Sequence, residues 1–296
     1  MANHVAICRA ELVAVLNAVQ HGVPKVLTLQ EGKTLPAGPL ETEHTSLQRG
    51  LRQWVEWQTG FLLGHVEQLY TFWDPLPQEK QGLIRASYMA LTREDISSQS
   101  NNWRSWYDYF PWEDRRSNEG AELLKKLIEP LHEWAANDLK KLARLRTVFG
   151  LKNQKWDDAA VLERYELLWE AGLVAESPLF QGSSISDASM LYDHRRILAT
   201  AISRLRAKIR YTPVIFQLVP ERFTLFQLQQ TMEALAGRYM HKQNFRRLVL
   251  NQGLVKETDY YENKVQGRPA RLYQFCDDAA DHCYLDGAKQ PLENLS

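Results

Sequence analysis

Between His241 and Gln252 the chain sets Lys242, Gln243, Arg246 and Arg247 around a helix whose apolar side is Phe245, Leu248 and Val249. Cationic and amide heads on an exposed helix face suit phosphate oxygens and the polar edges of a nucleic acid. The segments on either side supply the context. Thr224 opens an earlier helix, Gln227 completes a capping-box pattern three residues on, and Leu225, Leu228, Met232 and Leu235 recur at helical spacing. Gly237 and Gly253 stand where the two helices should stop. Leu254 to Thr258 and Ala270 to Phe275 then read as the strands of a hairpin, joined by DYYENKVQGRP, too long for a tight turn and basic at its tip. Two helices followed by a basic hairpin make a winged helix, whose second helix enters the major groove while the wing follows the phosphates. The competing reading is a solvated cationic face, or a surface for an acidic protein.

Charge is distributed in a way that favours the first reading. The whole chain is neutral, with 36 basic and 36 acidic residues. Arg195 to Phe275 nevertheless holds 15 Lys and Arg against 5 Asp and Glu, which leaves 21 against 31 elsewhere. A local excess of this kind is what a nucleic-acid footprint looks like.

A second stretch carries the frame of a chemistry without its reagents. LPAGPLETEHTSLQRGLRQWVEWQTGF, Leu35 to Phe61, resembles a Nudix box: Gly38 follows a strand, Leu51 and Val55 fall inside a helix, and Thr59-Gly60-Phe61 closes it. Aligned back from Gly60, the family's Arg-Glu pair falls on Gln53 and Trp54, and its two metal-binding glutamates on Trp57 and Gln58. Hydrolysis of a diphosphate on this frame needs adjacent carboxylates to hold magnesium. An indole offers no oxygen and an amide only a neutral one. Glu56 lies one helical step, about 100°, away from the site, and Glu41 and Glu43 sit in the loop. No catalytic residue and no metal site is therefore expected, although a Mg-dependent hydrolase of ADP-ribose or NADH-like nucleotides is the alternative.

A third stretch, NNWRSWYDYFPWEDRR from Asn101 to Arg116, is crowded with rings. Trp103 and Trp106 beside Arg115 and Arg116 could sandwich a nucleobase and hold phosphates. More often such a cluster of rings is core or a subunit contact.

These stretches must be carried by ordinary elements. Val5 to Leu16 and Lys25 to Leu29 read as strands around the turn at His21-Gly22-Val23-Pro24, and Leu83 to Leu91 as a largely buried strand. The Nudix-like helix turns Leu47, Leu51, Val55 and Trp54 inward. Gly120 to Leu151 has the pattern of one helix, with Leu123, Leu127, Leu131 and Trp134 inside, and Asp157 to Leu173 that of another, closed by Gly172. In a further helix, Asp193 to Arg210, Ile197, Ile202, Leu205 and Ile209 face inward, and Arg195, Arg196, Arg204, Arg206, Lys208 and Arg210 face out. All nine tryptophans lie between Trp54 and Trp169, which predicts two separate cores with a boundary near residues 190 to 212.

Composition (44% apolar, 24% charged) is that of a soluble globular protein, and no apolar run of about 18 residues spans a membrane. The opening MANHVAICRAELVAVLNAV lacks the features of an export signal. Cys8, Cys276 and Cys283 are too scattered for a disulfide framework, and with His282 they fall short of a zinc site. A cytoplasmic protein without cofactor is expected. The tail after Cys276 reads as loose.

Taken together, the Nudix-like stretch, the helix opening Asp193-His194-Arg195, TPVIFQLVPERFTL and NFRR…GRPARLYQF resemble the bacterial Nudix-related transcriptional regulators of NAD biosynthesis, of the NrtR and NadQ types. The resemblance implies an α+β chain. Residues 1–192 would form a Nudix-like α/β/α sandwich that senses a nucleotide such as ADP-ribose, NAD or ATP. Residues 193–211 would form a connecting helix, 212–285 a winged helix, and 286–296 a tail. It also implies a nucleoid-associated homodimer on a palindromic operator. The matching DNA contacts are Lys242, Gln243, Asn244, Arg246 and Arg247 in the helix, and Lys264, Arg268 and Arg271 in the wing. There the arginines would meet guanine edges or phosphates, and Gln243 and Asn244 adenine.

Overall fold

The computed structural model of the chain describes residues 8–76, 81–93, 102–182, 188–262 and 269–276. Its central element is the strand β1 (Cys8–Gln20), which runs apolar on both faces. Leu12, Ala14, Leu16 and Ala18 point to one side, where Leu51 and Val55 of helix α1 (Leu47–Thr59) cover them. Val13 and Val15 point to the other, into a larger core. That alternation follows from the two-residue period of a strand buried on both faces. Strands β2 (Val23–Leu27), β3 (Ala37–Pro39), β4 (Val66–Leu76), β5 (Gln81–Leu91) and β6 (Trp103–Ser105) complete the sheet. Its order is β4-β5-β1-β2-β6, with β3 also on β1, and the β1–β5 pair is parallel.

Helix α1 starts and stops as its sequence requires. The Ser46 hydroxyl accepts the Arg49 N–H at 3.2 Å, and Gly60 takes a left-handed φ of 75° as the closing residue. Leu47, expected inside, stands in the first turn and remains 38% exposed. Strand β4 escapes a sequence reading because a bulge between Gln68 and Tyr70 shifts its register. Its buried residues Val66 and Leu69 are thereby three apart rather than two.

Past β6 come helix α2 (Trp106–Tyr109), then α3 (Asn118–Ala135), α4 (Leu139–Val148), α5 (Val161–Glu170) and α6 (His194–Lys208). The single helix expected over 120–151 is thus two. Asp138 caps the second by accepting the N–H groups of Lys140 and Lys141, so the chain turns there. Helix α5 begins at Val161 rather than Asp157, because Asp157 accepts the Ala159 N–H in a turn of its own.

The winged helix follows: β7 (Arg222–Phe223), α7 (Leu225–Ala236), α8 (Lys242–Asn251), β8 (Val255–Glu262) and β9 (Ala270–Phe275), with sheet order β7-β9-β8. The capping box at Thr224 and Gln227 is present in both directions, at 3.1 and 2.8 Å. Strand β8 runs four residues beyond the expected Thr258, across a register shift between Glu257 and Tyr261. Lys264 and Arg268, and the tail after Cys276 apart from that residue itself, lie outside the described residues.

Two separate cores along the tryptophan boundary are not what forms. One continuous apolar cluster runs from Val13 and Trp112 through α5 and α6 to Phe245 and Tyr273. Helix α6 is no free connector: Ile197, Leu198, Ala199, Ile202 and Leu205 are all fully buried. Two of its arginines expected outside, Arg195 and Arg206, are buried as well, at 0% and 3% exposure. On a helix turning 100° per residue both fall within about 40° of Ile202, the centre of the apolar arc.

Candidate nucleic-acid interface

Helix α8 is held from beneath by Phe245 and Val249, 0% and 3% exposed, which leaves Lys242, Gln243, Asn244, Arg246 and Arg247 on the solvent side. Lys242 and Arg246 are one turn apart and line a groove of about 560 Å³ with Thr224, Phe226 and Gln229 of the preceding helix start and Arg271 of the wing. A groove of this kind, with a positive helix on one wall and a hairpin on the other, fits the phosphate ridge of a duplex. Arg271 is already engaged: it pairs with Glu257 and donates to the Tyr261 hydroxyl at 2.8 Å. It stiffens the wing as well as adding charge to it.

The charge excess of the C-terminal third has a different origin from the one expected. Arg195 pairs with Glu176, Arg196 with Glu166, Arg206 with Glu113, Lys208 with Glu67, Arg210 with Asp157 and Arg238 with Asp158. Each of these acids belongs to the N-terminal part of the chain. Six of the fifteen cations thus fasten the two parts together, and the candidate footprint shrinks to the smaller set on α8 and the wing.

A buried ionic centre anchors that fastening. The Glu113 carboxylate, in the turn after α2, accepts from Arg164 at 2.5 and 2.9 Å and from Arg206 at 2.6 Å, all three side chains being 2% exposed or less. Burial pushes the Glu113 pKa up, but the two guanidiniums pull harder and hold it below the usual carboxylate range. Tyr107 lies alongside, its hydroxyl pushed up to about 12 by burial, so it remains a donor. In the sequence Tyr107 is one ring of the aromatic stretch, and nothing there marks Glu113.

On the other face of the sheet, the helix that resembles a Nudix box carries no carboxylate set placed to hold a cation. The Trp54 ring lies so close over Gly38 that an added Cβ would stand 2.2 Å from it, and its indole N–H donates to the Pro39 carbonyl at 2.9 Å. Gln58 donates to the Ala37 carbonyl at 2.8 Å. Trp57 is 77% exposed and meets Trp54 edge-on at 5.6 Å, while Gln53, Glu56, Glu41 and Glu43 all face solvent. Two indoles and two amides occupy the four positions, so these residues do not fit a hard divalent ion. Among the described residues no group of His, Cys, Asp and Glu is placed to hold one.

The ring cluster is core. Trp103 is 3% exposed and packs edge-on against Phe61 at 5.5 Å; Trp106 is 1% exposed and donates to Asn17 at 3.0 Å. Neither offers a face to a nucleobase, which removes both from the ligand set. Arg116 is tied to Asp114 and to the Gly22 carbonyl, and Arg115 lies 4.7 Å over the Trp156 ring.

His194, at the start of α6, accepts the Leu35 N–H at 2.9 Å and is 2% exposed. Burial, with Arg85 nearby, pushes its pKa down to about 3. A folded-state value below the unfolded one, about 6.5, means that the unfolded chain takes up the proton first. Stability is therefore full above about pH 6.5 and falls as pH drops towards 3, by about 1.4 kcal/mol per unit for one proton. Melting temperature against pH should show this slope, and His194→Gln should remove it from that window.

A mixed sheet covered by a helix in the Nudix-box position, with no carboxylate at the four ligand positions, is joined here to a winged helix whose second helix has an exposed basic face. Residues 215–275 match the family described as the NrtR DNA-binding winged helix domain. The chain is 41% identical over 87 residues to the ADPR responsive transcriptional repressor NtrR of Acinetobacter baylyi. That match covers 29% of this chain and spans about a third (34%) of the relative's own length. The fold is similar to that of Shewanella oneidensis NrtR crystallised with a 27mer DNA, at TM-score 0.53 and 20% identity, over 92% of this chain and 95% of that one. It is equally similar to a MutT/nudix family protein from Enterococcus faecalis, at TM-score 0.53 and 14% identity, over 92% and 89% of the two chains. Residues 215–275 are thus of the NrtR winged-helix type, and over the rest of the chain the likeness to the solved structures is one of fold.

Proposed function

We propose that this chain is a DNA-binding transcriptional repressor of genes for making or salvaging NAD, and that its Nudix-derived body senses a nucleotide rather than hydrolysing one. The observation that carries this is the row Lys242, Gln243, Asn244, Arg246 and Arg247, exposed on a helix whose other side is locked into the core. The Acinetobacter relative, named for its response to ADPR, makes ADP-ribose the first effector to try. The exposed Trp57 ring offers such a molecule a stacking surface where the hydrolases keep their cation. One winged helix covers a half-site, so the reading includes a homodimer on a palindromic operator. It also places the protein in the cytoplasm, with the DNA it would bind.

Titration of duplex DNA with the full-length protein over a range of salt tests the reading. Affinity should fall linearly on a log–log plot, with a slope set by the number of phosphates contacted. Binding that ignores salt, or no binding, would sink it. Incubation with ADP-ribose and magnesium should meanwhile release no AMP; steady release would restore the hydrolase alternative.

A further inference from the structure

The helix-turn-helix is not fastened to the rest of the chain by apolar packing alone. A helix leaves its last carbonyls without partners inside the helix. Those of α7 are taken up by donors from the body. The Tyr107 hydroxyl donates to the Ala234 carbonyl at 2.5 Å, Arg206 Nε to the Leu235 carbonyl at 2.6 Å, and the Arg115 backbone N–H to the Gly237 carbonyl at 2.7 Å. Arg206 is in turn fixed by Glu113, and Arg238, one residue past Gly237, by Asp158 at 2.9 Å. Gly237 needs to be glycine twice over: its φ is 68°, and a Cβ would stand 2.0 Å from the Glu113 carbonyl oxygen. Within the turn, Glu233 accepts the Met240 N–H at 2.9 Å and Gln229 donates to the Met240 carbonyl at 3.0 Å. Four residues separate Gly237 from the first residue of α8, so the clamp holds the turn that aims the reading helix.

We infer that Tyr107, Glu113 and Arg206 are positioning residues for DNA recognition: they fix the angle at which α8 is presented, and base selectivity depends on them although they lie in the interior. This rests on α8 being the DNA reader. Phosphate attraction tolerates a small error in helix angle, because it is long-ranged and alike for every sequence. Bidentate base contacts do not tolerate it, because they need hydrogen-bond geometry. Loosening the clamp should therefore cost selectivity before it costs affinity for DNA in general.

The experiment compares full-length wild type, Tyr107→Phe and Glu113→Gln on two duplexes. One is enriched from genomic fragments by the wild-type protein, and the other is its shuffled sequence. Tyr107→Phe keeps the ring and loses only the donor, so it serves if Glu113→Gln fails to fold. The expected result for Tyr107→Phe is an unchanged affinity and salt slope on the shuffled duplex, with the preference for the enriched duplex reduced about tenfold, in line with one lost hydrogen bond. A preference equal to wild type, or equal weakening on both duplexes, overturns the clamp. A wild-type protein with no preference between the two overturns the assignment of α8 itself.

Discussion

Replacing Arg246 and Arg247 together with alanine should lower affinity for the enriched duplex by about a hundredfold or more while leaving the melting temperature within a degree or two. Both side chains are exposed and make no contact on which the core depends, whereas Phe245 between Asn244 and Arg246 is fully buried and keeps the helix in place. A guanidinium reading a base contributes about 1–3 kcal/mol, and two such losses multiply to that range. If they meet phosphates instead, affinity falls on every sequence alike and the salt slope drops by about one for each cation removed. Titration on enriched and shuffled duplexes at two salt concentrations separates the roles. Unaltered binding on both would place the reading helix elsewhere.

Glu113→Ala should be the most damaging single change outside the apolar core. It leaves Arg164 and Arg206 facing each other in the interior with nothing between them, at 0% and 3% exposure. Breaking a buried ion pair by removing one partner costs about 3–5 kcal/mol, since the remaining charge has lost its water and its counter-ion. For a chain of this size that corresponds to a melting temperature lower by about 10 °C. The Arg144–Glu170 pair is the control: its side chains are 38% and 39% exposed, so Glu170→Ala should cost less than about 1 kcal/mol. Differential scanning calorimetry of the two variants decides it. Equal effects would mean that the Glu113 centre is hydrated and that the clamp has no ionic anchor.

The legible parts of this chain were those governed by local rules. The capping box at Thr224, the left-handed closures at Gly60, Gly237 and Gly253, and the apolar faces of α1 and α7 all depend on residues within a turn or two of each other. The basic face of α8 was legible for the same reason. What was not legible depended on long-range packing. Trp103 and Trp106 could be read as a ligand cage or as core because ring density is the same signal whether the rings face a nucleobase or each other; only burial separates the cases. The charge excess looked like a single DNA footprint because a sequence does not show that Arg206 meets Glu113 across 93 positions, or Lys208 Glu67 across 141. Arg195 and Arg206 could have been suspected from the helical wheel, where they lie among isoleucines. The rule that arginines face water outweighed the geometry, and it fails when a buried acid is waiting.

The proposed role is that of a Nudix-like body that binds a nucleotide as a signal to the winged helix rather than hydrolysing it. It is tested most directly by measuring affinity for the enriched duplex with and without ADP-ribose, in EDTA so that no divalent metal takes part, and then recovering the nucleotide. The account predicts a shift of about fivefold or more, the usual scale of coupling between two sites, with ADP-ribose recovered intact. An affinity that is the same with and without the nucleotide would contradict it.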